Sequence, residues 1–165
     1  MRLAAALAAF LLLACPGAHA QGERQAAEHE VKAAFLFKFP AFVEWPGRPG
    51  PEDPFVIAVA GAPEVAEELR MLARGRTLNG RPIAVREPAD PQGAAGAHMV
   101  FVGGAAGARL PHFARALAGT SALLVAETPG ALEHGAMLNF VVSEGRVRFD
   151  VAVDAAEASR LRINA

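Results

Sequence analysis

The 165-residue sequence has one cysteine, one tryptophan and no tyrosine. The lone Cys15 excludes an internal disulfide framework and any thiolate-rich metal centre. Charge of either sign is not in excess: 16 basic residues face 17 acidic ones, for a formal net charge of −1. No electrostatic basis for nucleic-acid binding exists. Past the N-terminus, no apolar run approaches the roughly 20 residues that span a bilayer, so no direct membrane insertion is expected. Catalytic signatures are missing too. No G-x-S-x-G elbow surrounds Ser121, Ser143 or Ser159, and the full dinucleotide and P-loop fingerprints do not occur. His29, His98, His112 and His134 never pair at a metal-ligand spacing. No metal and no cofactor are expected, and the chain is not expected to be an enzyme. A hydrolase would have to draw on Ser121, His98 or Asp150.

What is there begins with an export signal. Arg2 precedes an apolar run over residues 3–14, and Pro16-Gly17-Ala18-His19-Ala20 follows. Small residues at Ala18 and Ala20 form the pattern read by signal peptidase, which predicts cleavage after Ala20 and a periplasmic protein. The competing reading is lipoprotein processing before Cys15. The break at Pro16-Gly17 favours the first. Residues 1–20 are then a signal peptide, the polar stretch 21–27 a disordered leader, and residues 28–165 one domain, a size that buries an adequate core without disulfides.

In the domain, Val31, Phe35, Phe39 and Phe42 recur at helical spacing, widened by Leu36 and Phe37, with Pro40 expected to kink or split the helix. Phe55-Val56-Ile57-Ala58-Val59-Ala60 is a continuous apolar run, as for a strand buried on both faces. Residues 99–102 and 122–125 read the same way. Helices are predicted after Pro63, with Val65, Leu69 and Leu72 inward, and around Leu110, Phe113, Ala114 and Leu117. Asn79-Gly80 is a turn into a shorter strand carrying Ile83 and Val85. Residues 137–142 and 146–153 read as strands joined by a three-residue loop, Ser143-Glu144-Gly145. Asp154 is expected to cap a last helix, with Glu157 completing a capping box. The predicted fold is α/β: a Rossmann-like layered sandwich whose mostly parallel central sheet ends in a C-terminal antiparallel hairpin.

Two clusters are candidates for binding. VKAAFLFKFPAFVEWP holds the only tryptophan, and Glu44-Trp45 at its end is a candidate contact surface, since Trp is enriched at binding hot spots. The alternative is that Glu44 caps nearby backbone while Trp45 seals the core edge. In the hairpin MLNFVVSEGRVRFDVAV, Val147, Phe149, Val151 and Val153 share one face, opposite Arg146, Arg148 and Asp150. Arg146 and Arg148 are candidate contacts, and an Arg148–Asp150 pair is geometrically available. Asn139 interrupts an apolar strand, either to tie down a loop or to hold a ligand. The turns at Gly61 and Gly103 leave a small-ligand pocket open at the strand ends.

VKAAFLFKFPAFVEWP and MLNFVVSEGRVRFDVAVDAA, with LNGRPIAVRE, AHMVFV and ETPG between them in order, resemble the YfiR-like family of exported bacterial proteins. The resemblance spans roughly residues 28–163, and the first and last blocks are its specific parts. It implies a periplasmic regulator that restrains an inner-membrane diguanylate cyclase by binding its periplasmic part, and so governs cyclic-di-GMP and biofilm output. Other membrane partners, such as a sensor kinase, and a homodimer remain open. Where many relatives carry a cysteine before the histidine of AHMVFV, this chain has Ala97, which leaves disulfide-based control without its residues here. The sequence stops at Leu161-Arg162-Ile163-Asn164-Ala165, where relatives usually continue into a further helical stretch.

Overall fold

Six consecutive apolar residues with no polar interruption need cover on both sides, and Phe55–Ala60 (β2) has it. Phe55, Ile57 and Val59 face one buried cluster, while Val56, Ala58 and Ala60 face another. The computed structural model describes residues 17–46 and 53–164. In chain order these contain helix α1 (Gly17–Lys38), a 3₁₀ turn (Phe39–Phe42), β1 (Val43–Glu44), β2, α2 (Pro63–Ala73), β3 (Thr77–Leu78) and β4 (Arg81–Arg86). A 3₁₀ turn at Gln92–Ala94 leads to β5 (Met99–Val102), and another at Gly104–Arg109 to α3 (Leu110–Leu117). Then come β6 (Leu123–Ala126), β7 (Leu138–Ser143), β8 (Arg146–Val151), α4 (Val153–Ala158) and β9 (Arg162–Ile163).

The main sheet has seven strands in the order β3-β4-β2-β5-β6-β7-β8. Its five central strands are parallel, and β3 and β8 run antiparallel at the two edges. The parallel strands, counted along the chain, lie in the doubly wound order 2-1-3-4-5. One face is covered by α1, α2 and α4, the other by α3 and the two short 3₁₀ turns. The expected layered α/β sandwich with a mostly parallel sheet and a terminal hairpin is the observed fold. A separate two-stranded clip pairs β1 with β9, with Val43 opposite Ile163, and ties the end of the α1 segment to residues 162–163.

Pro40 ends the α-helix as its missing N–H requires, and the chain tightens into the 3₁₀ turn. The buried face of α1 is rotated from the predicted stripe. Lys32, Ala33, Leu36 and Phe39 are buried, whereas Val31 and Phe42 are exposed, Phe42 by 56%. The change of helix type after Lys38 breaks the 3.6-residue period, which is why extrapolating the stripe to Phe42 fails. Phe39 sits in an aromatic group, 5.7 Å from Phe140 and 5.0 Å from Phe149 between ring centres.

Four further expectations are corrected. Residues 21–27, expected as a disordered leader, belong to helix α1, whose described part begins at Gly17. The hairpin loop has two residues, not three. Ser143 pairs with Arg146, and Glu144 and Gly145 both adopt positive φ, 53° and 70°, the mirror-image turn whose twist suits a hairpin. Val153 starts α4 instead of ending β8, and the residue before that helix is Ala152, so Asp154 lies in its first turn and makes no capping bond. Arg148 pairs with Glu144 at 3.5 Å across the turn, and not with Asp150. The predicted signal-peptide core, residues 3–14, lies outside the described residues.

The rotated face sets a test. Phe39→Ala is expected to lower the unfolding free energy by about 3–5 kcal/mol. Phe42→Ala, at an exposed position, should change it by less than about 0.5 kcal/mol. Urea denaturation of both variants checks the assignment, and equal losses would contradict it.

Candidate functional site

Trp45 leaves the β1 clip at the amino-terminal edge of the main sheet. Its indole packs edge-on to Phe55, 5.1 Å between ring centres, and Nε1–H donates to the His98 carbonyl at 3.3 Å. Trp45 is half-buried, so it seals the core edge with one side and walls a groove with the other. That groove, of about 400 Å³, is lined by Trp45, Pro46, Gly96, His98, Leu117 and Ser121 among others. Glu44 points elsewhere: it is exposed, accepts from Asn164 Nδ2 at 2.9 Å and lies 3.9 Å from Arg162. Trp45 therefore seals the core edge, the second of its two expected roles, and Glu44 braces the β1–β9 clip.

Behind Trp45 lies a stack of Arg81, Phe55 and His98. The guanidinium sits 5.8 Å from the Phe55 ring centre, and Phe55 stacks on His98 at 4.8 Å. Arg81 is buried because it donates to two carbonyls, Asp53 at 2.7 Å and Pro54 at 3.1 Å. His98 Nδ1 accepts from the Val56 N–H at 3.1 Å. In the neutral ring the proton is then on Nε2. Arg81 Nη2, 3.2 Å from Nε2, cannot be its donor in that tautomer; it acts as an adjacent cation. Burial, then the charges of Arg81 and Arg86, hold His98 below the ordinary histidine value, against a smaller opposing pull from Asp53.

At the opposite, carboxyl-terminal edge stands a group that sequence reasoning missed. Lys32 on α1 is 6% exposed, and its ammonium bonds both Glu28 and Glu127 at 2.5 Å. Glu127 follows β6, and its other oxygen accepts from the Gly104 N–H at 2.7 Å. Next to it, the Thr128 N–H donates to Asn139 Oδ1 at 3.2 Å. Asn139 thus ties down a loop, the first of its two expected roles. The i,i+4 spacing of Glu28 and Lys32 was visible in the sequence; the partner 95 residues away was not. Burial is the largest influence on Lys32 and pulls its pKa down. Hydrogen bonds to Glu127 and Glu28, with their charges, outweigh it and leave the pKa above the ordinary value.

The candidate residues do not form one site. Trp45 lies at the amino-terminal edge, Asn139 at the carboxyl-terminal edge, and Arg146 and Arg148 on the exposed edge strand β8. The strand-end crevice at the topological switch point, between β2 and β5, is closed. A Cβ on Gly61 would lie 2.5 Å from Ala106 N, and one on Gly103 would lie 2.5 Å from Ala62 Cβ. These glycines serve close packing of the two turns, with no room for a ligand between them. Nor does a Ser-His-Asp arrangement assemble. Ser121 shares the Trp45 groove with His98, but the ring nitrogens of His98 face Val56 and Arg81, and Asp150 lies on β8.

The fold and these contacts define an α/β sandwich whose free features lie at the edges of its sheet. The chain belongs to the YfiR/HmsC-like family, whose model matches residues 29–165. That family is regulatory, not catalytic, and in general periplasmic. It is associated with cyclic-di-GMP signalling and acts with partner signalling proteins. Among the described residues, no helix is long and apolar enough to cross a membrane. No curated protein matched the chain.

Both ionisable groups carry predictions. The folded pKa of His98 lies below its unfolded value, so the stability it contributes is complete above about pH 6.5 and is lost as pH falls below that. Urea denaturation between pH 7 and 5 should show falling stability, with a shallower slope in His98→Asn; an unchanged slope contradicts the assignment. For Lys32 the sign is reversed: its contribution holds through neutral pH and is lost as pH rises past 10.5. Lys32→Met strands the Glu127 carboxylate and should cost about 2–4 kcal/mol at neutral pH. Adding Glu127→Gln should recover part of that loss, and failure to recover any would locate the cost elsewhere.

Proposed function

We propose that this chain is a periplasmic regulatory binding protein, exported by cleavage after Ala20, that restrains an inner-membrane diguanylate cyclase by gripping its periplasmic part. Release of the grip then raises cyclic-di-GMP and biofilm output. The observation that carries the reading is the family match over residues 29–165. The geometry agrees with it. The hydrolase candidates do not assemble, since the ring nitrogens of His98 face Val56 and Arg81 and Asp150 lies on β8, and the switch-point crevice is packed shut. Regulation by contact requires only two states, partner bound and partner released, with differential affinity between them. Trp45 and its groove are the proposed contact surface, since a half-exposed indole beside apolar wall residues has the character of a hot spot.

A second reading places a small ligand in the same groove, sensed on behalf of another membrane protein such as a sensor kinase. Its support is the groove itself, which is mostly apolar with a few polar groups. A metabolite that raises the melting temperature and changes Trp45 fluorescence would favour it. Trp45 is the only tryptophan and the chain has no tyrosine, so the signal is specific.

The first reading is tested by affinity capture of the tagged, exported protein from detergent-solubilised membranes, read by mass spectrometry. Recovery of a membrane protein with a cytoplasmic diguanylate cyclase domain is expected, and Trp45→Ala should weaken its binding about 30-fold or more. Capture of a sensor kinase instead would overturn the cyclase assignment, and capture unaffected by Trp45→Ala would remove the groove from the interface.

A further inference from the structure

The two edges of the main sheet are unequal. At one end β3 has two residues; at the other β8 has six, and among the described residues nothing pairs with its outer side. Edges are normally blunted by shortness, charged side chains (lysine above all), proline or a bulge; β8 carries charges, Arg146, Arg148 and Asp150, but of both signs. The strand Arg146-Val147-Arg148-Phe149-Asp150-Val151 has no lysine or proline, and its register with β7 is unbroken over all six residues. Apolar surface flanks it: Phe149 is 38% exposed, Val151 36%, and Val31 on α1, one turn before Phe35, 39%. Phe35 packs on Phe149 at 5.4 Å, so this surface is continuous with the helix above.

The register fixes which backbone groups point outward. Ala152 N–H donates to Met137 O at 2.8 Å, and the same phase places Asp150, Arg148 and Arg146 in bonded pairs with Asn139, Val141 and Ser143. Bonded and non-bonded pairs alternate in an antiparallel ladder. Val147, Phe149 and Val151 therefore turn their N–H and C=O groups to the open edge.

We propose that β8 pairs antiparallel with β8 of a second copy of this chain, about a two-fold axis at Phe149. The register is self-complementary. Phe149 meets Phe149 and Val147 meets Val151 on the apolar face, while Arg148 meets Asp150 twice on the polar face. The outward backbone groups of residues 147, 149 and 151 fall into bonded pairs in the same register. Centring the axis on Arg148 or Asp150 instead sets like charges directly opposite, which is destabilising. A two-fold contact of this kind closes on itself and, among the described residues, leaves no further edge of this length. It stands independently of the partner assigned above, which uses the opposite feature, the Trp45 groove.

Sedimentation velocity of the exported protein over a concentration series tests the pairing. A monomer–dimer equilibrium is expected. Asp150→Arg or Arg148→Asp alone should raise its dissociation constant about tenfold or more, because two attractive pairs become repulsive. The double reversal, Arg148→Asp with Asp150→Arg, should restore it to within about threefold. These side chains are exposed, so the variants should keep their fold, which circular dichroism confirms. Hydrogen exchange adds a phase-specific check: amides of Val147, Phe149 and Val151 should gain protection as concentration rises, and those of Arg148 and Asp150 should not. A monomer at every concentration, a dimer indifferent to the single reversals, or a double variant that stays monomeric would each overturn the proposal.

Discussion

Both faces of a parallel sheet have to be covered, because its strands come from crossover connections and expose apolar side chains in two directions. Here β2, β5 and β6 carry no polar side chain at all, and each residue is buried. The cover consumes α1, α2 and α4 on one side and α3 on the other. Among the described residues the fold then retains no open face of the parallel sheet. In most doubly wound proteins the crevice at the carboxyl ends of the strands provides a site instead. In this chain Gly61 and Gly103 bring two turns into backbone contact and fill that crevice. What stays exposed lies on the rim: the groove beside Trp45 and the strand edge at β8.

Closing the carboxyl-terminal rim brings polar groups under cover, and Lys32 answers that demand. A lone buried ammonium is costly, whereas one held between two carboxylates is tolerated. Glu127 simultaneously accepts from the Gly104 amide, so one carboxylate joins helix α1, the turn after β5 and the end of β6. Asn139 adds β7 by holding Thr128. The amino-terminal rim is built by a different device, with buried Arg81 saturated by backbone carbonyls and a neutral His98 bonded to Val56. Each rim is thus pinned by long-range contacts to groups that look unremarkable in the sequence.

This division explains what was legible. Runs such as Met99-Val100-Phe101-Val102 announce doubly buried strands, and Pro63 or Asn79-Gly80 mark their local structure, because these signals depend on neighbours within a few residues. The sandwich followed from them. The site features depend on partners far along the chain: Trp45 with His98, Lys32 with Glu127, Arg81 with Asp53. Such pairings have no local signature. Asn139 was noticeable because a lone amide in an apolar strand needs a partner, yet its partner was not nameable. The stripe misled at Phe42 for a geometric reason, since the period changes where the α-helix gives way to a 3₁₀ turn at Phe39; at Val31 the buried face runs instead through Lys32, Ala33 and Leu36.

The segment from Glu28 to Trp45 links all of these features. Its first turns hold Glu127 through Lys32, its middle packs Phe35 and Phe39 on Phe149 of the edge strand, and its end places Trp45 on the His98 carbonyl. Residues 28–45 reach the β8 edge and the Trp45 groove by direct contact. The exposed β8 edge and the Trp45 groove lie at different parts of the rim, but the same run of chain is packed against both. The one distinctive sequence block of the N-terminal half, VKAAFLFKFPAFVEWP, thus supplies side chains to both parts of the rim.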